Sequence, residues 1–474
     1  MTLESVGVVA LLIGVISLFS QPSVIVYFFF CSTLLGSAAA FVLDSLGGTN
    51  ISPAHLLLGF LSLRLLTDKE ISAKAVQELS IGRPAFWLLV TVIYSIIGAY
   101  CLPRLLAGDT FIFALRAQSP YAVLLGPSTS NFTQSVYFTA DLVCFVVLSA
   151  FAANGGIRLL GAAALFCAAL NLIFAGLDLV TYFTNTAELF SPIRNANYAM
   201  LDEVEIAGLK RIVGSFTEAS SFASATLLYF SFTIQLWLTV IRPRLTLTLA
   251  LLSLLALVLA TSTTGYVGLA VILVYLYLQA LLSALHRPVT IQTRWFIVAT
   301  PFILILLTLI VALNTEYSDY VLNFLDGTVF NKLSTSSGVE RSSWNSQALQ
   351  NFVDTIGFGV GNGSARASSF PVAVLANLGI IGTFVFGFFF VTLFVPGSRN
   401  GRSDPLEEAY SRAAKLACLA CLTTATTSGA LVDLGLPFYI FAAVCNARQL
   451  PDVLAQRYRL ASDVGFVEPS PTTQ

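Results

Sequence analysis

The chain has 474 residues, 56% of them hydrophobic and only 10% charged. Soluble domains carry roughly 25% charged residues, and charged side chains mostly stay outside, so this composition excludes a soluble enzyme, a disordered chain and a fibre. A formal net charge of −1 provides no basic surface for nucleic acid, and two His and seven Cys are too few well-placed ligands for an obvious metal centre.

A membrane helix needs about 20 mostly apolar residues, within a range of about 17–25. On that ruler the sequence predicts an all-α polytopic membrane protein with about 12–14 transmembrane helices. The candidate spans are 5–20, 23–43, 51–66, 85–102, 136–152, 159–177, 220–240, 245–262, 265–285, 295–313, 371–395, 413–431 and 434–447. The first lacks the basic flank and cleavage site of a removable signal and reads as a retained span. Segment 51–66 carries His55 and Arg64, and 434–447 is short enough to be re-entrant. Strand alternation is absent, which argues against a barrel. The cysteines fall in apolar runs, and Cys418 and Cys421, though spaced as CxxC, read as packing within a span.

Lys and Arg set the orientation. On this count 16 of the 24 basic residues fall on one side, which reads as cytoplasmic. The N-terminus is then outside, and the tail 448–474 is inside. The other side carries the long connections 103–135, 178–219 and 314–370 with Arg104, Arg116, Arg194, Lys210, Arg211, Lys332, Arg341 and Arg366. Arg104, Arg116 and Arg194 read as solvated or snorkelling anchors.

Connection 103–135 has two apolar stretches broken by Pro, Gly and charge, fitting an interfacial hairpin or short helix. In 178–219 the segment LDEVEIAGLKR predicts an amphipathic helix with Leu201, Val204 and Leu209 on one side. Lys210 and Arg211 follow, and Glu218 stands at the mouth of the next span. Glu218 also fits a capping role, with Ser215 or Thr217 as cap and the carboxylate at the positive end of the helix dipole. In 314–370, Arg341 opens an amphipathic stretch with Trp344, Ala348, Leu349 and Phe352 at helical spacing. Gly357, Gly359, Gly361 and Gly363 then alternate, and the ending of a P-loop is missing. Alternating glycines let backbone approach a ligand and leave N–H groups free as an anion nest. Arg366 lies just beyond. Arginine binds phosphate in bidentate fashion and stays charged when partly desolvated. If Arg211, Arg341 and Arg366 converge, they form a pyrophosphate clamp, which suits a polyprenyl-linked sugar.

Three stretches carry a family resemblance: RIVGSFTEASSFASATLLYF (211–230), LATSTTGYVGLAVILVY (259–275), and ERSSWNSQALQNFVDTIGFGVGNGS (340–364) followed by LANLGIIG (375–382). Their order and spacing resemble the O-antigen polymerase/ligase superfamily, membrane glycosyltransferases of the GT-C type. The ligase branch has a His before its return helix, where this chain has Ser368 and Ser369. The resemblance therefore implies a polysaccharide polymerase of the bacterial inner membrane, making exopolysaccharide, O-antigen or capsule. The implied donor is a glycan on undecaprenyl pyrophosphate, and the implied acceptor is a lipid-linked repeat unit. Arg211 and Arg341 would stabilise the leaving group, with Glu218 as candidate base. Lys210, Arg366, Gly359, Gly361 and Gly363 would support binding. No cofactor or metal is implied, and a flippase and a chain-length regulator are the implied partners. A ligase of the same fold is one alternative. A flippase or transporter is another, and it would place polar groups near the bilayer midplane. Here the spans read as nearly clean, with Asp141, Asp178 and Asp433 as interfacial residues.

Overall fold

The computed structural model describes residues 2–44, 48–115, 121–197, 200, 205–206, 209–313, 318–319, 335–395 and 404–447. The chain is an all-α polytopic membrane protein. Among the described residues, six helical runs are long and apolar enough to cross a membrane: Pro84–Leu105, Thr129–Phe183, Ala219–Leu238, Thr263–His286, Ile291–Ile310 and Phe370–Phe394. The 55-residue run is two helices, because Asn154 and Gly155 leave helical geometry and Gly155 sits at φ +87°.

In chain order the helices are α1 (Ser5–Leu18), α2 (Pro22–Ser32), α3 (Pro53–Leu66), α4 (Lys69–Glu78), α5 (Pro84–Leu105), α6 (Thr129–Phe151), α7 (Ile157–Phe183) and α8 (Ala219–Leu238). Then come α9 (Pro243–Leu259), α10 (Thr263–His286), α11 (Ile291–Leu313), α12 (Ser336–Asp354), α13 (Phe370–Phe394), α14 (Pro405–Ser428) and α15 (Leu436–Asn446). Proline opens α2, α3, α5, α9 and α14, where its missing N–H costs nothing.

Several expected spans are shorter than hydropathy suggested. Helices α1, α2, α3, α9 and α15 are apolar but have at most 17 residues. The expected span 23–43 stops being helical at Ser32, and its last residues form strand β2 (Phe41–Leu43). Strands β1 (Thr2–Leu3) and β3 (Thr49–Ile51) flank β2 in a small antiparallel sheet that the sequence reading had no place for. At 11 residues, α15 rises about 16 Å, too short to cross and consistent with a re-entrant element. Helix α14 is long enough, but Glu407, Glu408, Arg412 and Lys415 occupy its first half.

Helix α8 is the centre of the bundle, with 78% of its apolar window buried, against 6% for Ile291–Ile310, which is turned outward to lipid. Small residues near the start of α8 permit this. Ala223 lies against Gly265, and Leu227 against Gly268 of α10, close enough that a side chain at either glycine would collide.

The long connections share one face. Asn195 of the 184–218 connection accepts from the N–H of Ala39 at 2.9 Å, so the N-terminal sheet lies on that face too. The opposite face holds the short turns, where Lys74 donates to Asn154 at 2.7 Å and Thr290 to the carbonyl of Leu238 at 2.9 Å.

Candidate functional site

Connection 106–128 forms the expected hairpin, as strands β4 (Phe111–Ile112) and β5 (Val123–Leu124). Arg116 lies outside the described residues. The hairpin is tied to the third connection at several points. Thr110 donates to Asp354 at 2.6 Å, Gln347 to the carbonyl of Phe111 at 2.7 Å, and the N–H of Arg366 to the carbonyl of Phe113 at 2.8 Å.

The amphipathic stretch at Arg341 is helical, as expected, and starts earlier. Helix α12 opens after Thr335, whose hydroxyl accepts from the N–H of Gly338 at 3.3 Å. Lys332 lies outside the described residues. The expected amphipathic helix at 201–211 is corrected. Residues 205–206 and 209–210 pair as antiparallel strands β6 and β7, while 201–204 and 207–208 lie outside the description. The β-branched Ile206 and the nearby Gly208 both disfavour a helix there.

Asp178, at the end of α7, organises the segment that carries Arg211. Its carboxylate accepts from the N–H groups of Val213 at 2.8 Å and Gly214 at 3.0 Å. It pairs with Arg194 at 2.7 Å and with Lys210 at 3.7 Å, and all three side chains are buried. Lys210 also donates to the carbonyl of Arg211 at 3.1 Å. Lys210 thus has structural partners in this segment. Arg194 is part of the same network, not a solvated anchor, and it donates to the carbonyl of Gly214 at 2.6 Å.

Gly214 sits at φ +60° and breaks any helix between Arg211 and Glu218. Even so, Arg211 and Glu218 remain electrostatic neighbours, with Tyr266 and Arg341 in the same surroundings. Burial draws the Arg211 guanidinium below its ordinary value. Glu218 and Tyr266 oppose that shift, and the like charge of Arg341 adds to it. Burial also lowers Arg366, opposed by Glu340 and Glu218 and reinforced by Arg341. Guanidinium groups stay protonated under such shifts, so three cations from separate segments share one neighbourhood with two carboxylates. Arg211 Nε is buried with no acceptor among the described residues. The Arg366 guanidinium stacks 3.7 Å above the Trp344 ring.

Glu218 is itself the N-cap residue of α8, in place of Ser215 or Thr217, and its side chain makes no capping bond to the backbone. Instead its carboxylate accepts from the Ser220 hydroxyl. Ser215 is committed elsewhere, donating to the carbonyl of Leu34 at 2.6 Å.

The glycine turn has a different use from the one expected. The N–H of Gly359 goes to the Thr355 hydroxyl at 3.0 Å, that of Val360 to the carbonyl of Ala376 at 2.9 Å, and that of Gly361 to the carbonyl of Asn377 at 3.0 Å. The Gly359 group is spent on Thr355 and those of Val360 and Gly361 on α13, so these three N–H groups are not free for an anion. Gly359, Gly361 and Gly363 have φ of +81°, +89° and +83°. A side chain would strike the backbone N of Gly379 at 2.7 Å, the carbonyl of Gly98 at 2.7 Å and the carbonyl of Ser130 at 2.4 Å, respectively. The glycines serve close backbone packing.

Tyr266 and Glu340 join the cluster, although neither was singled out from the sequence. Tyr266 lies in the first turn of α10, and Glu340 precedes Arg341, so both lay inside stretches that carried the resemblance. Asp141 sits inside the bundle, contrary to the interfacial reading. Asp141 of α6 is fully buried, and no N–H or O–H donor among the described residues reaches its oxygens. Its neighbour is a second carboxyl, Asp433, which in turn faces His55. No protein-family profile, curated protein or solved structure matches the chain.

Proposed function

We propose that the protein is a membrane glycosyltransferase that polymerises lipid-linked oligosaccharide units, with Arg211, Arg341 and Arg366 clamping a diphosphate leaving group. The observation that carries this reading is that Arg341 lies within electrostatic reach of both Arg211 and Arg366, beside a buried Arg211 Nε that has no acceptor among the described residues. Three cations against the two carboxylates Glu218 and Glu340 leave the cluster net positive, and phosphate oxygens match the guanidinium fork. The sequence resemblance supplies the donor class, a glycan on undecaprenyl pyrophosphate.

In this reaction a hydroxyl oxygen of the acceptor attacks the anomeric carbon of the donor. The new carbon–oxygen bond forms as the bond to the diphosphate oxygen breaks, and the electron pair leaves with the diphosphate. Charge grows on that group as the bond breaks, and the arginines stabilise it there. The hydroxyl proton passes to Glu218, the carboxylate beside Arg211.

The test uses a strain lacking the gene, complemented with wild type, Arg211→Ala or Arg341→Ala at matched expression. Polymer length is read on a gel. Loss of one such donor typically costs about 10²–10³ in rate, so the variants leave single repeat units on lipid. Full-length polymer from both variants overturns the proposal.

The Asp141–Asp433 pair favours a second reading, a flippase or transporter, because ionisable groups inside a membrane bundle mark transport paths. That reading expects Asp141→Asn to abolish movement of lipid-linked units across the membrane. The polymerase reading expects transport to be unaffected by any change to this protein.

A further inference from the structure

Helices α5 and α6 leave between them a groove of about 380 Å³, walled by Ile96 and Tyr100 on one side and by Phe132 and Val136 on the other. We propose that this groove holds the hydrocarbon chain of a phosphate-bearing polyprenyl lipid, with the phosphate meeting Arg104. The identity of the lipid rests on the function proposed above; the groove and its charge do not.

Its dimensions suit one lipid chain. The α6 wall runs from Ser128 to Thr139, about 16 Å at 1.5 Å per residue. That is about half of a 30 Å hydrocarbon core, or one leaflet. Most of the exposed lining is apolar, with Ser128, Asn131, Ser135 and Thr139 interspersed along the α6 wall, and the cation stands at the end nearest the long connections. A phosphate-headed chain has the same polarity.

Arg104 is held at the mouth. Its guanidinium lies 4.0 Å from the centre of the Tyr100 ring, and one nitrogen donates to the carbonyl of Tyr100 at 2.6 Å. No carboxylate among the described residues pairs with it, whereas Arg194, Lys210 and Arg158 each have at least one. Its remaining N–H groups are therefore open to an anion at headgroup level.

The groove is joined to the candidate site. Asn131, in its wall, donates to the carbonyl of Asn362 and to the Ser364 hydroxyl, both at 2.8 Å. Pro103, next to Arg104, lies 2.9 Å from where a Gly361 side chain would stand. The turn resting on the groove is the one that leads directly to Arg366. A chain seated here places its headgroup beside that turn.

The test is photo-crosslinking of the full-length protein in lipid nanodiscs, using a polyprenyl phosphate with a diazirine in its chain. Labelled peptides are mapped by mass spectrometry, and folding of each variant is checked by thermal unfolding. The expected labels fall within 96–104 and 128–139. Unlabelled polyprenyl phosphate competes, and the same excess of phosphatidylglycerol does not. Arg104→Gln weakens apparent affinity about tenfold, the scale of one charge-assisted hydrogen bond. Val136→Trp fills the groove from a position 48% exposed and removes the label without disturbing the core. Equal competition by phosphatidylglycerol makes the groove ordinary lipid annulus and overturns the proposal, as does unchanged labelling of Arg104→Gln. The readout needs no turnover. If the groove labels as expected while Arg211→Ala and Arg341→Ala polymerise normally, the reaction falls and the lipid site stands.

Discussion

Asp178 holds two backbone N–H groups and two buried cations with one carboxylate. Asparagine keeps the shape but removes the charge, leaving Arg194 and Lys210 buried beside a neutral amide. Removing one partner of a buried ion pair costs about 3–5 kcal/mol. Asp178→Asn is therefore expected to lower the thermal unfolding midpoint of the purified protein and to lose polymerisation as the 210–218 segment loosens. Arg211→Ala is expected to lose polymerisation at an unchanged midpoint. An unchanged midpoint for Asp178→Asn would mean that the two cations are compensated elsewhere. The arginines were legible in the sequence because their chemistry suggests a ligand wherever they stand. Asp178 was not, since its importance depends on how the 184–218 connection folds back over α7, which no local pattern encodes.

At the scale of elements, the glycine turn and helix α13 form one unit. Gly379 breaks α13 at φ +64°, and the N–H of Ile380 reaches the carbonyl of Gly357 at 2.9 Å. Asn377 closes the unit, accepting from the N–H of Ala365 at 3.1 Å and donating to its carbonyl at 2.9 Å. A methyl group at position 361 meets the carbonyl of Gly98 at a φ that disfavours any side chain. Gly361→Ala is thus expected to reduce both folded yield and thermal stability by more than the about 1 kcal/mol that an incompatible backbone costs. A stable Gly361→Ala protein with lost activity would instead return the turn to ligand binding. The alternation of glycines signalled a non-helical turn correctly, but spacing alone does not separate packing against a helix from packing against a ligand. Hydropathy has a similar limit. It finds where the chain is apolar, not where a helix stops, so 23–43 read as one span although α2 ends at Ser32.

Across the whole molecule, the structure gathers the long connections on one face, and the sequence places most Lys and Arg at the other. Together these make a testable orientation. Leu189, in the 184–218 connection, is 73% exposed, and Ile81, in the turn before α5, is 83% exposed on the opposite face. Cysteines introduced at these positions report sidedness directly, once the partly exposed native Cys31, Cys101, Cys421 and Cys445 are replaced. In intact cells, a membrane-impermeant maleimide that can reach the outer face of the host membrane is expected to label Leu189→Cys and to spare Ile81→Cys until that membrane is opened. The basic residues drive this expectation, because they resist translocation. The opposite pattern would turn the arginine cluster towards the cytoplasm. A clamp there would meet lipid diphosphates before export, where units are assembled, and would make a chain-extending polymerase the wrong enzyme for that side. Orientation therefore bears on the reaction as directly as any substitution in the clamp, and it does so without requiring the substrate to be known.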